Sequence, residues 1–235
     1  MEKYKNFLED ALVEKIKSKA KGYYKVNDPG HDWSHVLRVL ALCKKMMNEL
    51  GANERVLIPA ALLHDMVCLP KNHQDSSSSS SLAALKSIEI LEGYGFSKTE
   101  LENISNAVED HSYSRGRVPH SLEGKILQDA DRLDALGAIG ILRCASVATS
   151  MGSSFYDDDD LWAKNRPLND KKFMIDHYEK KLFKLPSLMN TNWAKKEASN
   201  RVEFMKLFLG QFVNDLGQDK IVLDSRDDDS LEGWI

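Results

Sequence analysis

Residues 31–65, HDWSHVLRVLALCKKMMNELGANERVLIPAALLHD, decide how the chain folds. From about Ser34 apolar side chains return at helical spacing, and Val36, Val39, Leu40, Cys43, Met47 and Leu50 form one inner stripe. Gly51 ends that helix, and Asn53 is placed to cap a second one that the pattern carries through Asp65. The second helix is apolar on nearly every side, which marks a buried, central element. Pro59 within it is tolerated only near a first turn or at a kink. A His64–Asp65 pair at the end of such a helix is costly to bury without partners. Partners of the right kind stand nearby in the pattern. His35 lies in the first turn of the preceding helix, and Asp131 lies within ILQDADRLDALGAIGILR at 126–143. Two imidazoles and two carboxylates on three helices suffice for one divalent-metal site.

Working outward, almost every segment repeats its apolar residues at helical spacing, and strand patterns are scarce, so the fold class is all-α. Residues 4–20 read as an amphipathic first helix carrying Phe7, Leu8, Leu12 and Ile16, followed by a turn at Asn27-Asp28-Pro29-Gly30. Residues 66–81, MVCLPKNHQDSSSSSS, read as a loop whose serine run resembles a flexible linker. Its last serine is placed to cap a helix of Leu82, Leu85, Ile88 and Leu91. Gly93 and Gly95 break the chain before a helix capped by Ser97, on which Leu101, Ile104, Val108 and His111 share one inward face. After a polar loop at 112–120, one helix is expected from about Leu122 to Val147, with Asp131 facing inward between Leu127 and Ala135. Residues 150–170, with aspartates at 157–160, read as a surface excursion. The four lack the alternation and glycine of a calcium loop, so a solvated acidic loop is expected. Helices near 170–184 and 192–216 complete a single domain at 1–217, and 218–235 form an acidic tail.

Composition narrows the function classes. The 235 residues are 42% hydrophobic, enough for one real core. The net charge of −4 and the absence of a basic stripe argue against duplex nucleic acid, while a nucleotide remains within reach of a metal and one or two cations. No apolar run has the length of a membrane span, and the charged start MEKYKNFLEDALVEKIK lacks a signal-peptide core. Cys43, Cys68 and Cys144, without paired spacing, fit reduced thiols in a cytoplasmic protein. The oligomeric state is not legible.

GHDWSHVLRV, LLHD and ILQDADRLDALGAIGILR together resemble the HD-domain metal-dependent phosphohydrolases, whose signature is His, His-Asp, Asp. The resemblance is nearest to small single-domain bacterial members that include nucleoside-triphosphate pyrophosphatases. That branch also carries stretches like LPKN at 69–72 and HYEKKLFKL at 177–185. It covers roughly residues 25–215 and implies an HD-type helical bundle with a metal site between central helices. Carried over residue by residue, it makes His35, His64, Asp65 and Asp131 the metal ligands. The N₂O₂ set suits Mn²⁺, the leading expectation, with Mg²⁺, Ni²⁺, Co²⁺, Fe²⁺ or Zn²⁺ as alternatives. The chain departs from its relatives where they often place an arginine after PKN and this sequence runs into serines.

The remaining assignments concern a small phosphorylated substrate, expected to be a nucleotide. Lys71 follows the ligand pair closely enough to reach a phosphate, or is a solvated loop lysine. Asn72 shares that reading. Asp65 or Asp134 would accept the proton from an attacking water, although Asp134 also suits a pair with Arg132. His111 contacts substrate, supports a second metal or packs. Arg115, with Arg117, guides anions. His31 and Asp32 fit a capping role for the helix of His35. The expected reaction is metal-assisted hydrolysis of a phosphoanhydride or phosphoester. The triphosphate-to-monophosphate cleavage leads, a phosphomonoesterase, a cyclic-nucleotide phosphodiesterase or a non-catalytic nucleotide sensor being the alternatives.

Overall fold

The computed structural model describes residues 8–24, 30–67, 78–112 and 116–217. The expected acidic tail at 218–235 lies outside them. Among the described residues the fold is all-α. Its helices are α1 (Asp10–Lys21), α2 (Trp33–Leu50), α3 (Glu54–Leu63), α4 (Ser79–Leu91), α5 (Lys98–Asp110), α6 (Leu122–Asp134), α7 (Gly137–Met151), α8 (Met174–Lys180) and α9 (Asn192–Asp215). A 3₁₀ segment, Leu182–Leu188, joins the last two. The extended pairing is a single parallel bridge between Ser154 and Phe173.

α3 is the axis of the core. Every residue from Val56 to Leu63 is buried, and α1, α2, α5 and α6 pack around it. Asn53 caps it, its side chain accepting from the Arg55 N–H. The helix continues through Pro59 at the loss of one backbone donor and stops at Leu63, two residues earlier than its pattern suggests. α2 begins at an Asp32 cap and ends at Gly51 in the left-handed conformation. Its buried stripe turns to Met46 instead of Met47. α5 carries a reciprocal capping box between Ser97 and Glu100.

Three expectations need correction. α4 starts at Ser79, so half of the serine run is helical, and no side chain caps it. Its buried face is Ser80, Ala83, Ala84, Ser87, Ile90 and Leu91, while Leu82 and Leu85 are exposed. Small side chains let α4 lie close against α5, and the Ser87 and Ser105 hydroxyls both donate to the Ala84 carbonyl.

The single helix expected from Leu122 to Val147 is two, α6 and α7, bent by 67°. Gly137 takes a φ of 72° at the break, which a side chain would strain. Gly140 then approaches so closely that a Cβ there would stand 2.2 Å from the Ala135 carbonyl oxygen.

The excursion at 150–170 lies at the surface as expected, with Asp158 and Asp159 exposed, and is tied together by hydrogen bonds of its own. Asp157 accepts from the N–H groups of Asp159 and Asp160, and Asp160 caps Lys164 and Asn165. Arg166 binds both oxygens of the buried Asp176, lies 3.3 Å from an Asp157 oxygen and stacks on Phe173. No single helix among the described residues is long and apolar enough to cross a membrane.

Candidate metal centre

The start of α2, the end of α3 and the middle of α6 meet at one point. His35, His64, Asp65 and Asp131 each bring a ligand atom there, all within 4.8 Å of one another. His35 Nε2 lies 3.2 Å from His64 Nε2, 3.5 Å from Asp65 Oδ2 and 3.4 Å from Asp131 Oδ1. Donors sharing one ion at about 2.1 Å sit roughly 3.0 to 3.4 Å apart across octahedral or tetrahedral edges. Local structure turns each group inward. The Asp32 cap accepts from the His35 N–H at 2.8 Å, fixing the first turn of α2. His64 follows the last residue of α3, and its Nδ1–H donates to the Ala61 carbonyl at 2.9 Å, leaving the Nε2 lone pair aimed at the cluster. His35 presents Nδ1 to Asp134 at 2.7 Å, so its Nε2 is also the free nitrogen.

The fit to a divalent ion follows from this donor set. Two imidazole Nε2 atoms face each other with both Nδ1 atoms already hydrogen-bonded, and only a proton or a cation between them reconciles their lone pairs. Two carboxylates supply the compensating charge. His64 and His35 are fully buried, whereas the Asp65 and Asp131 side chains keep 17% and 23% exposure, so the cluster is open to solvent on its carboxylate side.

Burial disfavours the imidazolium of His64 and lowers its pKa to about 4, so it stays a neutral donor. His35 goes the other way. Burial opposes its charge, but hydrogen bonds to Asp131, Asp134 and Asp65 raise its pKa well above the ordinary value. Asp65 and Asp131 would be pushed up by burial, and the surrounding histidines hold both below the usual carboxylate range.

Asp134 is not a free base facing the cluster, and it does not pair with Arg132. It sits 1% exposed behind His35, with Arg38 donating from Nε at 2.7 Å and from its terminal nitrogen at 3.0 Å, and Arg143 donating at 2.7 Å. Arg132 donates instead to the Leu188 carbonyl. Burial works against the Asp134 anion. The hydrogen bonds to His35 and Arg38 and the nearby charges of His35 and Arg143 outweigh it and bring its pKa down to about 2.

A folded-state pKa below the free value of 3.8 means the native chain binds fewer protons here than the unfolded one. This group therefore contributes stability above about pH 4, on the order of 2 kcal/mol, and the contribution disappears as pH falls toward 2. Urea titrations at pH 6, 4 and 2.5 should show that loss, and Asp134→Asn should flatten it. Equal pH slopes in both proteins would disprove the assignment.

His111 lies on the other flank, 4% exposed, with Nδ1–H donating to the Val108 carbonyl at 2.6 Å and Nε2 at 3.2 Å from Asp65 Oδ1. Burial opposes its charge, but Asp65 wins and raises its pKa. Lys71, Asn72 and Arg115 lie outside the described residues. Arg117, the arginine of that loop that is described, faces Asp110 at 3.6 Å and Glu109 at 4.0 Å.

Three residues behind the site escaped the sequence reading. Arg38 stands one turn after His35 on the same helix face and was open to detection by spacing. Arg143 was hidden by the unseen bend before α7. Asp129, fully buried, accepts from the backbone and side chain of both Asn190 and Thr191, fixing the start of α9 to α6.

Packed helices that gather two imidazoles and two carboxylates at one open-sided point make the kind of centre found in divalent-metal hydrolases. The chain belongs to the HD-domain family, whose model matches residues 32–136 and so takes in all four clustered side chains. It is similar to the uncharacterized protein YpgQ of Bacillus subtilis, 32% identical over 193 residues, which span 80% of this chain and 85% of that protein. Its fold resembles an HD-superfamily hydrolase from Bacillus thuringiensis, with a TM-score of 0.68 and 31% identity over 88% of this chain and 97% of the other. A Lactobacillus plantarum protein gives a TM-score of 0.68 at 28% identity, over 91% of this chain and all of that one. The crystal structure of Bacillus subtilis YpgQ in complex with ADP gives a TM-score of 0.65 at 28% identity, over 87% and 95% of the two chains.

Proposed function

We propose that this chain is a divalent-metal-dependent phosphohydrolase of nucleotides that converts a (deoxy)nucleoside triphosphate and water into the monophosphate and pyrophosphate, with Mn²⁺ as the working ion. The convergence of His35, His64, Asp65 and Asp131 within 4.8 Å, open on its carboxylate side, carries the reading. The similarity to a protein crystallised with ADP supports a nucleotide as the ligand.

In this reading those four side chains hold the ion. When bound, a divalent ion supplies Lewis acidity, acidifying a water from about 15.7 toward about 7 and polarising a phosphate oxygen. Asp65 turns one oxygen to the imidazoles and the other to His111, and it accepts the proton from the attacking water. His111, held toward its charged form by Asp65, offsets the charge that develops on the phosphoryl oxygens. Lys71, Asn72 and Arg115 bind the outer phosphates. Asp134 keeps its place behind His35 and acts through it.

A product-resolved screen tests this: ribo- and deoxyribonucleoside tri-, di- and monophosphates and cyclic nucleotides, each with Mn²⁺ and with Mg²⁺. Triphosphates yielding monophosphate and pyrophosphate are expected. Orthophosphate from monophosphates would replace this reading by a phosphomonoesterase, and ring opening of cyclic nucleotides by a phosphodiesterase. Tight nucleotide binding without turnover would make the chain a sensor.

A further inference from the structure

In a continuous α-helix neighbouring side chains diverge by about 100°, so aiming the consecutive His64 and Asp65 at one point depends on how the chain leaves α3. His64 still has helical angles, φ −60° and ψ −39°, but the hydrogen-bond ladder ends beside it. The helical ladder of α3 stops at Leu63, and the Met66 N–H reaches back only to the Leu63 carbonyl, at 3.4 Å. Three backbone groups therefore leave the ladder together: the Ala61 carbonyl, the Leu62 carbonyl and the Asp65 N–H. His64's own ring takes the first. The phenol of Tyr24 takes the second, donating to the Leu62 carbonyl at 2.9 Å.

Tyr24 stands just beyond the end of α1 and is 8% exposed. Its ring packs on Trp33, the first residue of α2, with centroids 5.5 Å apart and planes at 46°. A single side chain thus touches the turn that carries His64 and Asp65 and the helix start that carries His35, without itself reaching into the cluster.

We propose that Tyr24 is a positioning residue for the metal centre: its hydroxyl locks the His64–Asp65 turn in the conformation that aims both side chains at one cation. The proposal rests on the metal-site reading above and adds to it a residue from outside the ligand set. The hydroxyl takes the Leu62 carbonyl, for which no other hydrogen-bond donor stands among the described residues. Losing it frees the backbone just before the two ligands while the aromatic packing survives.

The test compares the full-length chain with Tyr24→Phe and, as a control, Tyr178→Phe. Tyr178 is a buried tyrosine on α8 whose hydroxyl has no described hydrogen-bond partner. Mn²⁺ affinity is measured by titration calorimetry at 10 °C, with the electron paramagnetic resonance line shape of the bound ion and the helix content recorded on the same samples. Tyr24→Phe is expected to weaken Mn²⁺ binding about tenfold and to broaden the resonance, with helix content kept, and the control to change neither. Hydrolysis by the variant should recover at saturating Mn²⁺.

Unaltered Mn²⁺ affinity and line shape in Tyr24→Phe would overturn the proposal, whatever happened to its thermal midpoint, because a merely structural tyrosine moves only the latter. If Tyr24→Phe does not fold alone, trimethylamine N-oxide restores compactness without replacing the hydroxyl, and the same affinity comparison decides. A wild-type chain that bound no Mn²⁺ would bring down the metal-site reading and this proposal together. Equal binding by wild type and Tyr24→Phe would bring down only the latter.

Discussion

Asp131→Ala is expected to lose metal-dependent hydrolysis while keeping its helices. The side chain is one of two carboxylates in the cluster, and its oxygen stands 3.4 Å from His35 Nε2. Alanine removes a ligand and one of the negative charges that offset a divalent ion, and among the described residues no carboxylate outside the cluster is poised to replace it. Asp134 is held by His35, Arg38 and Arg143, and Asp129 is turned to Asn190 and Thr191. Turnover with Mn²⁺ should fall by about 10³-fold or more, equivalent to about 4 kcal/mol of transition-state stabilisation. Circular dichroism should stay close to wild type, because the side chain is partly exposed and its tie to α2 runs through His35, which Asp134 also holds. Steady-state rates over a Mn²⁺ series measure the effect. Wild-type turnover in a metal-depleted Asp131→Ala protein would sink the metal-site reading.

Asp134→Ala should instead act on stability first. The carboxylate is buried between an imidazole and two guanidinium groups that come from α2 and α7. Removing it leaves positive charges facing one another with no anion between them. Breaking one partner of a buried ion pair in this way costs about 3 to 5 kcal/mol. For a chain of this size the thermal midpoint should drop by roughly 10 °C. Asp134→Asn keeps the shape and some hydrogen bonds, so its loss should be smaller, and both variants should bind Mn²⁺ less tightly because His35 loses the partner that orients it. A midpoint within about 2 °C of wild type for Asp134→Ala would show that the arginines find other partners and that the network is not a structural anchor.

How far the sequence reached depends on what each pattern encodes. His35, His64, Asp65 and Asp131 stand at helix ends or on inward faces, and inwardness is a property of spacing, so their meeting could be anticipated. α4 misled because its leucines fall at helical intervals. The face that packs is the alanine and serine one, chosen by how near α5 can approach, and that closeness leaves no mark in hydropathy. The bend between α6 and α7 hides in a run of alanine, glycine and leucine that also suits a straight helix, and only the positive φ of Gly137 reveals it. Once that bend was missed, Arg143 could not be placed, and Asp134 looked like an unengaged carboxylate one turn from a ligand. Tyr24 was out of reach because its hydrogen-bond partner is a backbone carbonyl 38 residues away.

The link between α6 and α9 bears on how such proteins can diverge. The segment that defines the family ends at residue 136, yet buried groups inside it lean on atoms beyond that point. Asp129 takes its donors from Asn190 and Thr191, Asp134 takes one from Arg143, and Arg201 donates to the Leu133 carbonyl. The motif-bearing half is therefore not a transplantable cassette, since excised it would carry Asp129 without its donors from Asn190 and Thr191 and Asp134 without Arg143. Recombination among relatives has to exchange the two halves together, or reinvent the seam at Asp129 and Asp134 each time it cuts there.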